Sequence, residues 1–144
     1  MNKVIALIMP IGITIMGSSL PLNAQPRVQV FDGSDAGIMG CGGQAAPKGA
    51  KQWGSNVYAI WKFGGENTVV MSENGHLKSY PYNRSRGKDD RTHLNWSIPG
   101  YKVEVNFSAK RTGYETSGGN GSMRIFSGKS GDSLSIPIRV DEGC

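Results

Sequence analysis

From Gln25 onward, apolar and polar residues alternate with a period of two, and no stripe at helical spacing interrupts them. That period marks strands whose two faces meet different surroundings. Val28 and Val30 alternate with Arg27 and Gln29 as a short first strand, closed by an Asp32-Gly33-Ser34-Asp35 turn. The stretch from Gly40 to Gly54, rich in Gly, Ala, Gln and Lys, reads as a long loop. Val57 to Phe63 (VYAIWKF) is apolar on both sides except at Lys62, which predicts a central strand covered on both faces. Thr68 to Ser72 and His76 to Tyr80 flank Glu73-Asn74-Gly75. Asn-Gly tolerates the positive φ of a type I′ turn, so these two runs predict a hairpin.

The second half follows the same grammar. Leu94, Trp96 and Ile98 alternate, Pro99-Gly100 turns the chain, and Tyr101, Val103, Val105 and Phe107 then oppose Lys102, Glu104, Asn106 and Ser108. This is the pattern of a half-buried antiparallel hairpin. Gly113 to Gly121 reads as a glycine- and serine-rich loop and Met123 to Phe126 as a short strand. In the last run, Leu134, Ile136, Ile138 and Val140 point inward and Pro137 outward. Proline cannot donate to a ladder, so this strand is an edge or has an unpaired side at Pro137. Short strands with turns at this spacing predict an all-β, antiparallel, immunoglobulin-like β-sandwich, with a small closed β-barrel as the alternative.

The amino terminus departs from this pattern. Lys3 precedes an apolar run from Val4 to Met16, and Leu22-Asn23-Ala24 ends in a small residue before Gln25. These features predict a signal peptide over residues 1–24, cleaved after Ala24, and a single β domain over residues 25–144. Export leads to the periplasm, a fimbrium or cell surface, or the medium, for a bacterial source. The 21 glycines argue against a helical bundle, and 38% hydrophobic residues argue against a disordered tail. The two cysteines, Cys41 and Cys144, read in an exported chain as one disulfide rather than a reactive or metal-binding pair, because no second ligand stands at suitable spacing.

Catalytic signals are sparse. His76 and His93 lack sequence partners for a metal site, and Asp89-Asp90, inside a basic stretch, reads as charge compensation rather than an acid and base pair. No nucleophile elbow or phosphate-cradling loop is present, so no catalytic residue, metal or cofactor is assigned. The charge is more informative. The whole chain carries +5, and the segment from Lys78 to Arg111 alone holds eight basic and three acidic residues, also +5. Within it, Tyr80, Tyr82, Arg84 and Arg86 interleave aromatics with arginines on what reads as a loop, followed by Lys88, Arg91 and Trp96. Aromatics and arginines together hold anionic glycans, lipid headgroups or protein receptors by stacking and charge, and a plain solvated loop has the same composition. Nucleic acid fits less well, since no recognition motif accompanies the charge. Four Asn-x-Ser triplets, at Asn83, Asn95, Asn106 and Asn120, are glycan acceptors in a eukaryotic secretory pathway and ordinary turn or outward strand residues otherwise.

A short first strand, one early cysteine and a second at the end of the final strand (SLSIPIRVDEGC) give a layout that resembles the invasin-type tip subunits of Afa/Dr chaperone–usher adhesins. The resemblance implies an immunoglobulin-like fold, a periplasmic chaperone and fimbrial subunits as partners, and a bridge between Cys41 and Cys144. The usual penultimate aromatic of pilin termini is missing. Taken together, the residues predict an exported, non-catalytic binding module, an adhesin subunit that contacts host receptors. A periplasmic inhibitor or immunity protein is the second reading, and a small secreted hydrolase using His93 with Asp89 or Asp90 the third.

Overall fold

Among the described residues, 28–144 of the computed structural model, the period-two alternation becomes thirteen strands: Val28–Gln29 (β1), Phe31–Asp32 (β2), Gly42–Pro47 (β3), Asn56–Val57 (β4), Ala59–Lys62 (β5), Thr68–Glu73 (β6), His76–Pro81 (β7), Asn83–Arg86 (β8), Arg91–Ile98 (β9), Tyr101–Ser108 (β10), Lys110–Arg111 (β11), Thr116–Ser127 (β12) and Ser133–Gly143 (β13). The expected signal peptide lies outside the described residues. A single 3-10 turn, Gly33–Ala36, follows β2, and the Asp32 carboxylate accepts from its Ser34 N–H at 3.0 Å. That bond, with a second from the Ser34 hydroxyl, lowers the pKa of Asp32. No helix among the described residues is long and apolar enough to cross a membrane.

All the strand pairs are antiparallel. One sheet runs β1-β6-β5-β3-β13-β12-β10-β9-β8, with β7 on the other edge of β6 and β11 beside β12, while β2 and β4 form a separate pair. The sheet bends over itself. Met71 on β6 and Trp96 on β9 are far apart in strand order, yet the Trp96 indole N–H donates to the Met71 sulfur at 3.3 Å in the buried core. The result is two facing layers of an antiparallel β-sandwich, not closed into a barrel. Its core includes Trp61, Met71, Leu94, Val103, Val105, Met123, Ile138 and Val140, all fully buried. Burying each of the larger ones contributes about 1.5–3 kcal/mol.

Three connections set the architecture. Asn74 and Gly75 both have positive φ (52° and 84°) between the paired residues Glu73 and His76, so the Asn-Gly hairpin forms as its residues demand. Strand β13 is shared: it pairs with β12 from Ser133 to Gly143 and with β3 only from Ile138 onward. Pro137 therefore sits one residue outside the β3 ladder, with an unpaired side where its missing donor is harmless. Tyr82 alone separates β7, which pairs with β6, from β8, which pairs with β9. There the chain passes from one layer to the other, and the buried Tyr82 hydroxyl donates to the Lys62 carbonyl at 2.8 Å.

Two segments that read as loops contain strands. Gly40 to Gly54 contains β3, and Gly113 to Gly121 contains the first half of β12. Glycine has no side chain to display alternation, so a strand built on it is silent in the pattern, and here tight packing selects it. A Cβ on Gly43 would lie 2.6 Å from the Trp61 indole ring. Without one, Trp61 lies against β3 and its Nε1–H donates to the buried Glu142 carboxylate at 3.0 Å. Cys41 and Cys144 are disulfide-bonded, 103 residues apart in sequence, tying the end of β13 to the start of β3.

Candidate binding groove

Strands β8, β9, β10 and β12 are neighbours, and alternation gives β9, β10 and the second half of β12 an inward apolar and an outward polar set, while β8 is polar throughout. Thr92, Leu94, Trp96 and Ile98 of β9 and Val103, Val105 and Phe107 of β10 are buried, as the alternation predicts. Their outward neighbours form rows across the sheet. Ser85 pairs with His93, His93 with Asn106, and Asn106 with Ser122, while Arg91 pairs with Ser108 in the next row. Adjacent members of a row stand about 4.8 Å apart, the strand spacing.

At the β8–β9 end this face dips into a groove of about 470 Å³. Its lining is mainly polar: Ser85, Arg86, Arg91, His93, Asn106, Ser108, Asn120 and Ser122, with Gly87, Thr92, Phe107 and Gly121 completing it. A Cβ on Gly121 would lie 2.0 Å from the Asn106 carbonyl oxygen, so β10 and β12 approach closely only because this residue is glycine. The β8–β9 turn closes one end. Asp89 and Asp90 both have positive φ (57° and 58°), and the Arg91 N–H donates to the Lys88 carbonyl at 3.1 Å. This is the φ pattern of a type I′ hairpin turn, and aspartate tolerates it through its short polar side chain. The Asp90 carbonyl also accepts from the Ala109 N–H at 2.8 Å, which ties the turn to the end of β10.

One side of the groove is wired and the other is open. The Asn106 amide oxygen only accepts, so His93 Nδ1 donates to it at 2.6 Å, and His93 Nε2 lies 4.0 Å from Glu104. Glu104 in turn accepts from Arg124 at 3.3 Å, and the Arg124 guanidinium stands 4.4 Å over the Phe126 ring. By contrast, the side chains of Ser85, Arg91, Ser108, Asn120 and Ser122 have no partner among the described residues. Arg86 has only an exposed contact with Asp90 at 3.8 Å. No acidic residue lines the groove.

The residues singled out in the sequence divide into two sets. Arg86, Lys88 and Arg91 are exposed around the groove's closed end, and the first and last of them line it. Tyr80, Tyr82, Arg84 and Trp96 face elsewhere: β7 and β8 take the place of the expected loop and turn Tyr80, Tyr82 and Arg84 toward the core, and Trp96 belongs to the inward set of β9. The Tyr80 hydroxyl donates to the buried Glu73 carboxylate, and burial first, then this bond and the negative charge, push its pKa up. Tyr82 is raised to about 12 by burial and by the nearby Glu142 charge, with Arg84 opposing. Arg84 donates to Glu142 at 2.6 Å and stands 5.1 Å over the Phe63 ring, while Trp96 is only 3% exposed. This second set holds the sandwich together.

His93 meets Asn106 and Glu104 rather than Asp89 or Asp90. Among the described residues no three His, Cys, Asp or Glu side chains are grouped to hold a metal. The groove residues missed in the sequence were visible there in another guise. Ser85, Asn106, Ser108, Asn120 and Ser122 all belong to Asn-x-Ser triplets, whose one-residue spacer puts amide and hydroxyl on the same face of a strand. Comparison with known proteins finds no matching family model, curated protein or solved structure.

Proposed function

We propose that the chain is an exported, non-catalytic binding module of the surface-adhesin class, and that it engages its receptor through the groove on β8, β9, β10 and β12. The observation that carries this reading is the open half of the groove. Arg91, Asn120 and three serines present donors and acceptors without internal partners, and they stand on paired strands that need no reordering to bind. A preorganised site of about 470 Å³ falls within the range of small-ligand pockets, about 300–1,000 Å³. The amino-terminal signal features and the two paired cysteines support export to an oxidising compartment, and the layout resemblance supports presentation with fimbrial partners. Among the described residues none of the hydroxyls lining the groove is hydrogen-bonded to a base, and His93 Nδ1, opposite Ser85, is engaged by Asn106, which favours binding over hydrolysis.

The test is attachment of the purified protein to immobilised host-cell surface extract. Asn120→Ala and Ser122→Ala should each reduce attachment severalfold, while Lys129→Ala, in the exposed β12–β13 turn, should leave it unchanged. Attachment that is equal for all three proteins, with folding intact, would remove the groove from the interaction.

A further inference from the structure

Resting on that groove reading, we infer that the ligand is an acidic saccharide, whose carboxylate or sulfate meets Arg91 and Arg86 and whose hydroxyls meet Asn120, Ser122 and Ser108. The argument begins with what the face lacks. Exposed large hydrophobic side chains among the described residues are Val30, Met39, Trp53, Leu77, Tyr114 and Leu134, and none lines the groove. A protein partner is ordinarily anchored by apolar and aromatic residues in a dry centre, and a membrane surface needs apolar side chains to insert. Single-stranded nucleic acid needs aromatic platforms on which bases stack. Of the phenylalanines, tyrosines and tryptophans only Phe107 lines the groove, with its side chain buried in the core, and the His93 ring that also lines it is held by Asn106.

What the face does carry suits a polyhydroxylated ligand. A side-chain amide both donates and accepts, a hydroxyl does the same, and neighbouring sugar hydroxyls offer the matching pairs. Strand register sets Ser122 directly beside Asn106, and Asn120 lies two residues along the same strand, so amide and hydroxyl groups alternate over the groove. The two arginines add the charge. A guanidinium binds a planar carboxylate or a sulfate through two parallel N–H bonds. Arg91 has no side-chain partner among the described residues, and Arg86 has only its exposed 3.8 Å contact with Asp90. Asp89 and Asp90 stand in the turn that closes this end without lining the groove, and Glu104 is turned to Arg124 and His93 and does not line it either. The groove is thus a neutral hydrogen-bonding surface whose closed end sets Arg86, Lys88 and Arg91 against Asp89 and Asp90, with only the two arginines lining it.

The experiment is isothermal titration of the purified protein with three probes: a heparin-derived sulfated oligosaccharide, sialyllactose for the carboxylate, and lactose as the neutral counterpart. At least one acidic probe should bind ten times or more tightly than lactose, with affinity falling as salt rises. The ratio should collapse toward one in Arg91→Ala and be only partly restored in Arg91→Lys, which keeps the charge and loses the fork. Asn120→Ala should weaken acidic and neutral probes alike. Equal binding of acidic and neutral probes, both lost in Asn120→Ala, would overturn the acidic ligand and leave the groove reading standing. Acidic binding unchanged in Arg91→Ala and in Asn120→Ala, or no saccharide binding at all, would overturn the inference. Severalfold loss of receptor attachment in Asn120→Ala would then show whether the groove reading survives it.

Discussion

Breaking the bond between Cys41 and Cys144 should cost this fold a large share of its stability, and the cost follows from loop length. The bond spans 103 residues, nearly all of the described chain. Loop-closure entropy for a ring of that size amounts to about 5 kcal/mol, set against a total of about 5–15 kcal/mol for a domain of this kind. The native state should change little on reduction. The end of β13 has its own anchors: Glu142 binds Trp61 and Arg84, and Asp141 accepts from the Trp53 N–H at 3.2 Å and from Arg139 at 3.1 Å. The assay is urea unfolding followed by tryptophan fluorescence, oxidised against reduced, with Cys41→Ser/Cys144→Ser as the covalent control. With a urea dependence of about 1–3 kcal/mol per molar, the midpoint should fall by about 2 M or more. The dependence itself should steepen, because an unlinked denatured chain exposes more surface. Coincident midpoints would refute the entropic account. A changed native spectrum before any urea is added would place the effect in the folded state instead.

Glu142→Ala should cost about 3–5 kcal/mol in the same assay, because it strands the partly buried Arg84 guanidinium, while Glu142→Gln, which keeps an acceptor, should cost less. Tyr82 has a folded pKa of about 12 against about 10 when unfolded, so its contribution is complete below pH 10 and is lost as pH rises toward 12. The fall in urea midpoint across that window should be shallower in Tyr82→Phe, and an identical slope would contradict the burial assigned to the hydroxyl. Gly121→Ala should destabilise by about 1–3 kcal/mol, since its Cβ would meet the backbone of β10, and unchanged thermal unfolding would show that β10 and β12 part more easily than their close approach implies.

Much of the fold was legible because alternation reports which face of a strand is wet. The inward sets of β9 and β10, the Asn74-Gly75 turn, the unpaired side at Pro137 and the bridging cysteines could all be read from residue type and spacing. The site was less legible. Interleaved tyrosines and arginines from Tyr80 to Arg86 have the composition of a binding loop, and composition does not say which side chains a neighbouring strand will claim. Glu73 claims Tyr80 and Glu142 claims Arg84, from positions 7 and 58 residues away.

By itself, then, the sequence determined that this is an antiparallel β protein pinned by one disulfide, with its excess positive charge between Lys78 and Arg111. Those properties reside in side-chain identity and short-range spacing. Only the tertiary structure decided that Ser85, His93, Asn106 and Ser122 share a row, that glycine-rich segments are strands, and which arginines remain free for a ligand. The reason is that backbone hydrogen bonds in a ladder are nearly indifferent to residue type. Alternation tells a strand which way to face, while its neighbour is chosen by how the whole sheet folds over its core.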